Sequence, residues 1–144
     1  MAGEVWRFLH LVAAAYWLGG VIVLAIVAVI AARSLERPAF RGLMSQVGRV
    51  YLVGSLVAWL LLAITGLAMA RDRIPTLAAV GSTPWGRTLE LKTGLAVAAV
   101  ILTLAHSWAG NRSSARAIVA SRFLSPVILI LTLAIFYLAS RLAS

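Results

Sequence analysis

The sequence contains no cysteine, two histidines and four acidic residues among 144. The missing cysteine excludes disulfides, thiolate metal sites and covalent haem attachment through Cys-x-x-Cys-His. Charge is scarce as well: 12% of residues are charged, where soluble domains carry roughly a quarter. Apolar residues take their place, at 62% of the chain and a mean hydropathy of +1.00. This is a membrane composition. A net charge of +9 would suggest nucleic acid in a soluble protein. Here the cations crowd the ends of apolar runs, where they meet lipid phosphates, so the expected partner is the lipid bilayer and not nucleic acid.

A helix needs about 20 apolar residues to cross the hydrocarbon layer. Four stretches qualify, at about 8–32, 50–70, 88–109 and 123–139. The first is too long for the apolar region of a cleaved signal peptide, and MAGEVWR before it lacks a basic n-region, so it reads as a span. The expected fold is all-α: an integral membrane four-helix bundle, up-down-up-down, forming a single domain over 1–144. Pro126 falls in the first turn of the last span, where a missing N–H is tolerated. The connections ARSLERPAFRG, RDRIPTLAAVGSTPWG and GNRSSARAIVASR read as linkers, the third either joining spans three and four or extending one of them. The second is expected to lie along the interface with Trp85 at headgroup depth.

Orientation follows from the basic residues. Arg33, Arg37, Arg41, Arg49, Arg112, Arg116 and Arg122 share one side of the membrane. Arg7, Arg71, Arg73, Arg87 and Arg141 share the other, with Lys92 just inside the layer. The larger set belongs inside, which puts both termini outside a bacterial-type inner (cytoplasmic) membrane.

Ionisable residues within the spans are the candidates for function, because each is costly to bury in lipid. In RTLELKTG, Glu90 and Lys92 stand two apart and point to different helix faces, so they do not neutralise each other. Glu90 can pair with Arg87 three residues before it, or stand as an interfacial acid favoured by the macrodipole at a helix N-terminus. Lys92 can snorkel to the headgroups. Spans one and three run in the same direction, so His10 and Lys92 fall at similar depth in one leaflet. His10, Ala14, Trp17 and Val21 share a stripe, and small residues Ala13, Ala14, Gly19 and Gly20 allow close helix approach. His106 lies 14 residues beyond Lys92, roughly 21 Å further along a helix. Two axial ligands of one iron sit only about 4 Å apart, so His10 and His106 do not share one iron within a monomer. For an iron in the outer leaflet, His10 is the best protein ligand. Lys92 is then a second ligand or a cation for a carboxylate, and Arg71, Arg87 and the other rim arginines can hold propionates. His106 reads either as an interior histidine bonded to a hydroxyl such as Tyr51 or a backbone carbonyl, or as an inner-leaflet ligand or proton-handling group.

The segments LHLVAAAYWLGG, GRTLELKTG and AHSWAGNR together resemble two related families of small four-helix membrane proteins. These are the copper-resistance protein D (CopD-type) domain and the bacterial membrane protoporphyrinogen oxidase (HemJ-type). The resemblance runs from about Phe8 to Leu142. It implies a b-type haem, with His10 and Lys92 as the polar positions at the cofactor and Trp17, Gly19 and Gly20 on the tryptophan–glycine part of the motif. The function this implies is a haem b-binding redox protein, either an electron carrier or a small oxidoreductase, passing electrons to a quinone or other membrane acceptor. Two alternatives remain open. One is copper handling of the CopD type with a periplasmic partner. Soft Cu(I) prefers thiolate and thioether ligands, yet the chain offers no Cys and three Met, with Met44 expected in a loop. The other is a non-catalytic membrane subunit, in a homo-oligomer or a larger complex, with His10 and Lys92 merely packed or snorkelled.

Overall fold

The computed structural model describes residues 2–71, 81–110 and 115–143, all but a few of them helical. Four long helices follow one another: α1 (Ala2–Ser34), α2 (Arg37–Arg71), α3 (Pro84–Gly110) and α4 (Ala115–Ala143). No strand occurs among the described residues. All four helices are long and apolar enough to cross a bilayer. The chain is a multi-pass, all-α membrane protein of the four-helix class.

Each helix outruns the span expected from hydropathy. The largest difference is at α2, which begins at Arg37 and not near residue 50. Arg37–Arg49 contains nothing that stops a helix, since Pro38 falls in the first turn, where its missing N–H costs nothing. Hydropathy locates the part of a helix that lies in lipid, not the whole helix. Met44, expected in a loop, therefore stands inside α2. α4 takes in most of GNRSSARAIVASR, so this linker extends the fourth span, one of the two outcomes expected for it. Pro126 is consequently interior to α4, contrary to its expected first-turn position. In a spanning helix the carbonyl it leaves unpaired can be satisfied by neighbouring groups.

The helix ends have local causes. The Leu35 amide donates to the Ala31 carbonyl at 2.9 Å as α1 closes, and the Phe40 amide to the Glu36 carbonyl at 2.9 Å as α2 opens, so the two helices join by a tight turn. Thr83 caps α3: its hydroxyl accepts from the Gly86 amide at 3.0 Å, its carbonyl from the Arg87 amide at 3.0 Å. Pro84 at the first helical position completes that start signal. Of the interfacial segment expected over RDRIPTLAAVGSTPWG, residues 72–80 lie outside the described residues, as do Arg73 and Arg112, and its end from Pro84, with Trp85, opens α3. The side chains of Arg116, Arg122 and Arg141 are likewise outside the description.

The helices form two compact units, Met1–Met69 and Ala70–Ser144. In the first, α1 and α2 are an antiparallel pair: His10 meets Thr65, Trp17 meets Trp59 and Tyr16 meets Tyr51. In the second, α3 packs along α4. Small and hydroxyl side chains are buried: Ala13, Ala31, Ala58, Ala99 and Ala109, with Ser55, Thr65, Thr103 and Thr132. Large aliphatic and aromatic residues such as Phe8, Ile26, Val50, Ile101 and Phe123 are exposed. That distribution suits lipid, where there is no hydrophobic gain from hiding leucine and close packing of small residues holds helices together. The buried threonines satisfy themselves: Thr103 donates to the Ala99 carbonyl and Thr132 to the Ile128 carbonyl, both at 2.7 Å.

Candidate functional site

His10 is half-buried on α1, and the ring faces α2. Its Nδ1 lies 2.8 Å from the Thr65 hydroxyl oxygen, and Thr65 is fully buried. Thr65 has a single hydroxyl hydrogen, and it points to the Leu61 carbonyl at 2.6 Å. The hydroxyl oxygen can then only accept from His10, so Nδ1 carries the proton and donates. In the neutral ring the lone pair is left on Nε2. Gly66, the next residue on α2, lies beside the ring: a Cβ there would stand 3.5 Å from His10 Cε1, an ordinary van der Waals contact.

Further along the same hairpin the interface is aromatic. Trp17, only 2% exposed, meets Trp59 edge to face with ring centroids 6.2 Å apart. Trp17 Nε1 and Trp59 Nε1 are buried without an acceptor among the described residues. The Tyr51 hydroxyl donates to the Trp17 carbonyl at 2.8 Å, and its ring stacks on Tyr16 with centroids 6.1 Å apart. The two tyrosines are accommodated by glycines on the facing helix, Tyr51 against Gly20 and Tyr16 against Gly54. Tyr51, one of the partners considered for His106, bonds the α1 backbone.

The other expected site residues stand elsewhere. Arg71 is exposed in the last turn of α2. Arg87, Lys92 and His106 all belong to α3 in the second unit. Lys92 is half-buried eight residues after Pro84, about 12 Å along the helix. His106 is half-buried near the far end of α3. Arg87 and Glu90 do not form the ion pair that their spacing suggested. Both instead line an open groove of about 410 Å³ on α3, together with Leu91, Gly94 and Leu95.

The structure therefore places His10 and Trp17 on one hairpin face, and adds Thr65, Gly66 and Trp59, which composition did not single out. The available signal was the Thr–Gly pair inside the apolar run LLLAITGLAMA. Among the described residues no group of three or more His, Cys, Asp or Glu side chains comes together.

Comparison with known proteins gives a family and no activity. A family profile described as "Domain of unknown function (DUF4149)" matches residues 12–117. That segment contains Trp17, Thr65, Arg71, Arg87, Lys92 and His106 and begins just after His10. The chain is also similar to an "Uncharacterized protein" of Aquifex aeolicus (strain VF5), 31% identical over 144 residues, covering 96% of this chain and 94% of the relative. No solved structure matches.

Proposed function

The chain belongs to the DUF4149 family, and on that premise we propose that it is a membrane-embedded haem b-binding redox protein with His10 as the axial ligand. The observation that carries the proposal is the relay from His10 Nδ1 through the Thr65 hydroxyl to the Leu61 carbonyl. Metal-ligating histidines characteristically donate their second ring N–H to such a partner, which sets the tautomer and the ring orientation. Burying an imidazole in a spanning helix is costly, and here a buried hydroxyl on the next helix is committed to holding it. The donor set suits haem better than bare copper. A haem iron takes four ligands from its own macrocycle and asks one or two of the protein, whereas Cu(I) seeks soft sulfur ligands, and this chain has no cysteine.

In this proposal His10 binds through Nε2, Thr65 orients it, and Trp17 with Trp59 keeps the hairpin interface dry. On the resemblance alone, Lys92 would be a second ligand or the cation for a haem carboxylate, and Arg71 and Arg87 rim cations for its propionates. Bound haem would supply a one-electron couple tuned by ligand and burial. The acceptor is a quinone or another membrane carrier, and the setting is a bacterial inner membrane with both termini outside. The resemblance to the CopD-type and HemJ-type families supports the same assignment.

The test is a visible spectrum of the full-length protein purified in detergent. We expect a Soret band that shifts on dithionite reduction, is lost in His10→Ala and largely survives in His106→Ala. A colourless preparation from haem-replete cells, or loss of the band in His106→Ala alone, overturns the proposal.

A further inference from the structure

The groove on α3 has no part in the proposal above, and its lining is chemically specific. Arg87 and Glu90 stand at its upper end, both exposed, and neither is paired with the other. Leu91, Gly94 and Leu95 line the deeper part. Gly94 puts no side chain between Leu91 and Leu95, and a Cβ built there meets only open space. The span Pro84–Ala109 has 26 residues, or about 39 Å at 1.5 Å per residue. It exceeds the roughly 30 Å hydrocarbon layer, so the helix is long enough for Arg87 to reach headgroup depth with Glu90 about one turn further in. A charged end next to an apolar strip with an open position at Gly94 is the outline of a phospholipid.

We propose that this groove binds a zwitterionic phospholipid with a primary-amine headgroup, phosphatidylethanolamine in chemical class. The Arg87 guanidinium takes the phosphate, the Glu90 carboxylate takes the ammonium, and an acyl chain lies over Leu91, Gly94 and Leu95. Side chains three apart on a helix are about 5–6 Å apart at their Cβ atoms, a gap that a phosphate and an ammonium joined by a two-carbon link can bridge. Glu90 decides the lipid class. A carboxylate only accepts hydrogen bonds, so it rewards an ammonium that donates them. It gains less from a trimethylammonium, which has no N–H, and it repels an anionic headgroup. The same carboxylate beside Arg87 makes that arginine a poor seat for a haem propionate, which revises the role expected for Arg87 from sequence.

The experiment is lipid retention by the full-length protein. The protein is exchanged into an equimolar mixture of phosphatidylethanolamine, phosphatidylcholine and phosphatidylglycerol with matched acyl chains, and bound lipid is counted by native mass spectrometry. We expect phosphatidylethanolamine to be enriched about three- to fivefold, the scale of a partly exposed ion pair. Glu90→Gln should remove its preference over phosphatidylcholine while total lipid retention persists. Arg87→Gln should lower retention of all three, and Gly94→Leu should displace the lipid by filling that open position. Equal retention of the three lipids, or a preference that survives Glu90→Gln, overturns the proposal. So does a dimer of the native protein that Gly94→Leu breaks, because the groove would then be an interface between copies. Glu90→Gln and Arg87→Gln remove exposed charges and leave the packing between α3 and α4 untouched, so a folded variant is available for each arm.

Discussion

The His10 imidazole and the Thr65 hydroxyl are 55 residues apart in sequence and 2.8 Å apart in space. Because Thr65 sends its own hydrogen to Leu61, this bond has a direction, and it leaves the imidazole lone pair on Nε2. Thr65→Val keeps the shape and removes the acceptor. The Nδ1–H then loses its Thr65 acceptor, at a cost of about 1–3 kcal/mol. We expect a lower thermal midpoint in detergent for Thr65→Val and near-native behaviour for Thr65→Ser. Nitrogen NMR of labelled histidine should show the Nδ1–H tautomer in the native protein and in Thr65→Ser. In Thr65→Val the ring should move toward the Nε2–H form. An unchanged tautomer in Thr65→Val would mean that something else positions the ring.

Gly20 and Gly54 separate two kinds of close approach in the same hairpin. A Cβ on Gly20 would run into the Tyr51 ring, which is tied by its hydroxyl to the Trp17 carbonyl and stacked on Tyr16. A Cβ on Gly54 would meet the hydroxyl end of Tyr16, an exposed side chain that can swing away. Overpacking of a constrained site costs about 1–3 kcal/mol. Gly20→Ala should therefore destabilise the protein clearly, and Gly54→Ala should cost well under half as much. Thermal unfolding of the two variants in one detergent checks the order, and equal losses would mean that Tyr16 is as fixed as Tyr51.

Much of the fold was legible in the sequence, for a physical reason. Apolar runs of spanning length can be read directly, and each of the four falls inside a helix. The helix ends were not legible, because Arg37–Arg49 and the stretch after Ala115 are helical without being apolar enough to cross. His10 stood out as a charged-type residue in an apolar run, and Trp17 through its motif and its position on the same stripe. Thr65 did not. A lone threonine in a spanning helix usually turns its hydroxyl back to the carbonyl four residues earlier, and Thr93, Thr103 and Thr132 all do so. Thr65 does this too, and only the approach of α1 shows that its oxygen also serves a second helix. Arg87 and Glu90 illustrate the opposite error, since a spacing of three suggested a pair and the structure shows two charges bordering a groove.

Lys92 offers a test of whether an intramembrane charge is there for stability or for function. It is half-buried within the span Pro84–Ala109, and no described residue pairs with its ammonium. A charge at the bilayer centre costs about 2.5–3.5 kcal/mol on insertion scales, and less toward the edge. Lys92→Met keeps the length of the side chain and removes that cost. We expect the variant to insert and unfold at least as well as the native protein, while the spectrum or midpoint potential of bound haem changes. A variant that is destabilised with its spectrum unaltered would make Lys92 a structural residue and remove it from the proposed site.

Trp17 and Trp59 make a last, opposing prediction about the same hairpin. Both indole N–H groups are buried with no acceptor among the described residues, so neither N–H contributes a hydrogen bond to those residues. The value of Trp17 lies in its bulk and its edge-to-face contact with Trp59, a pairing of about 0.5–1.5 kcal/mol beyond buried area. Trp17→Phe loses part of that contact and some volume, but it also removes an unpartnered donor from a dry interface. The two effects oppose each other, and the net change should stay within about 1 kcal/mol, whereas Trp17→Ala should cost about 3–5 kcal/mol by opening a cavity. A large loss in Trp17→Phe, matched by a large loss in Trp59→Phe, would show that the indole N–H groups hold a bound acceptor in the working protein. The hairpin interface would then be a binding site and not simply a packed wall.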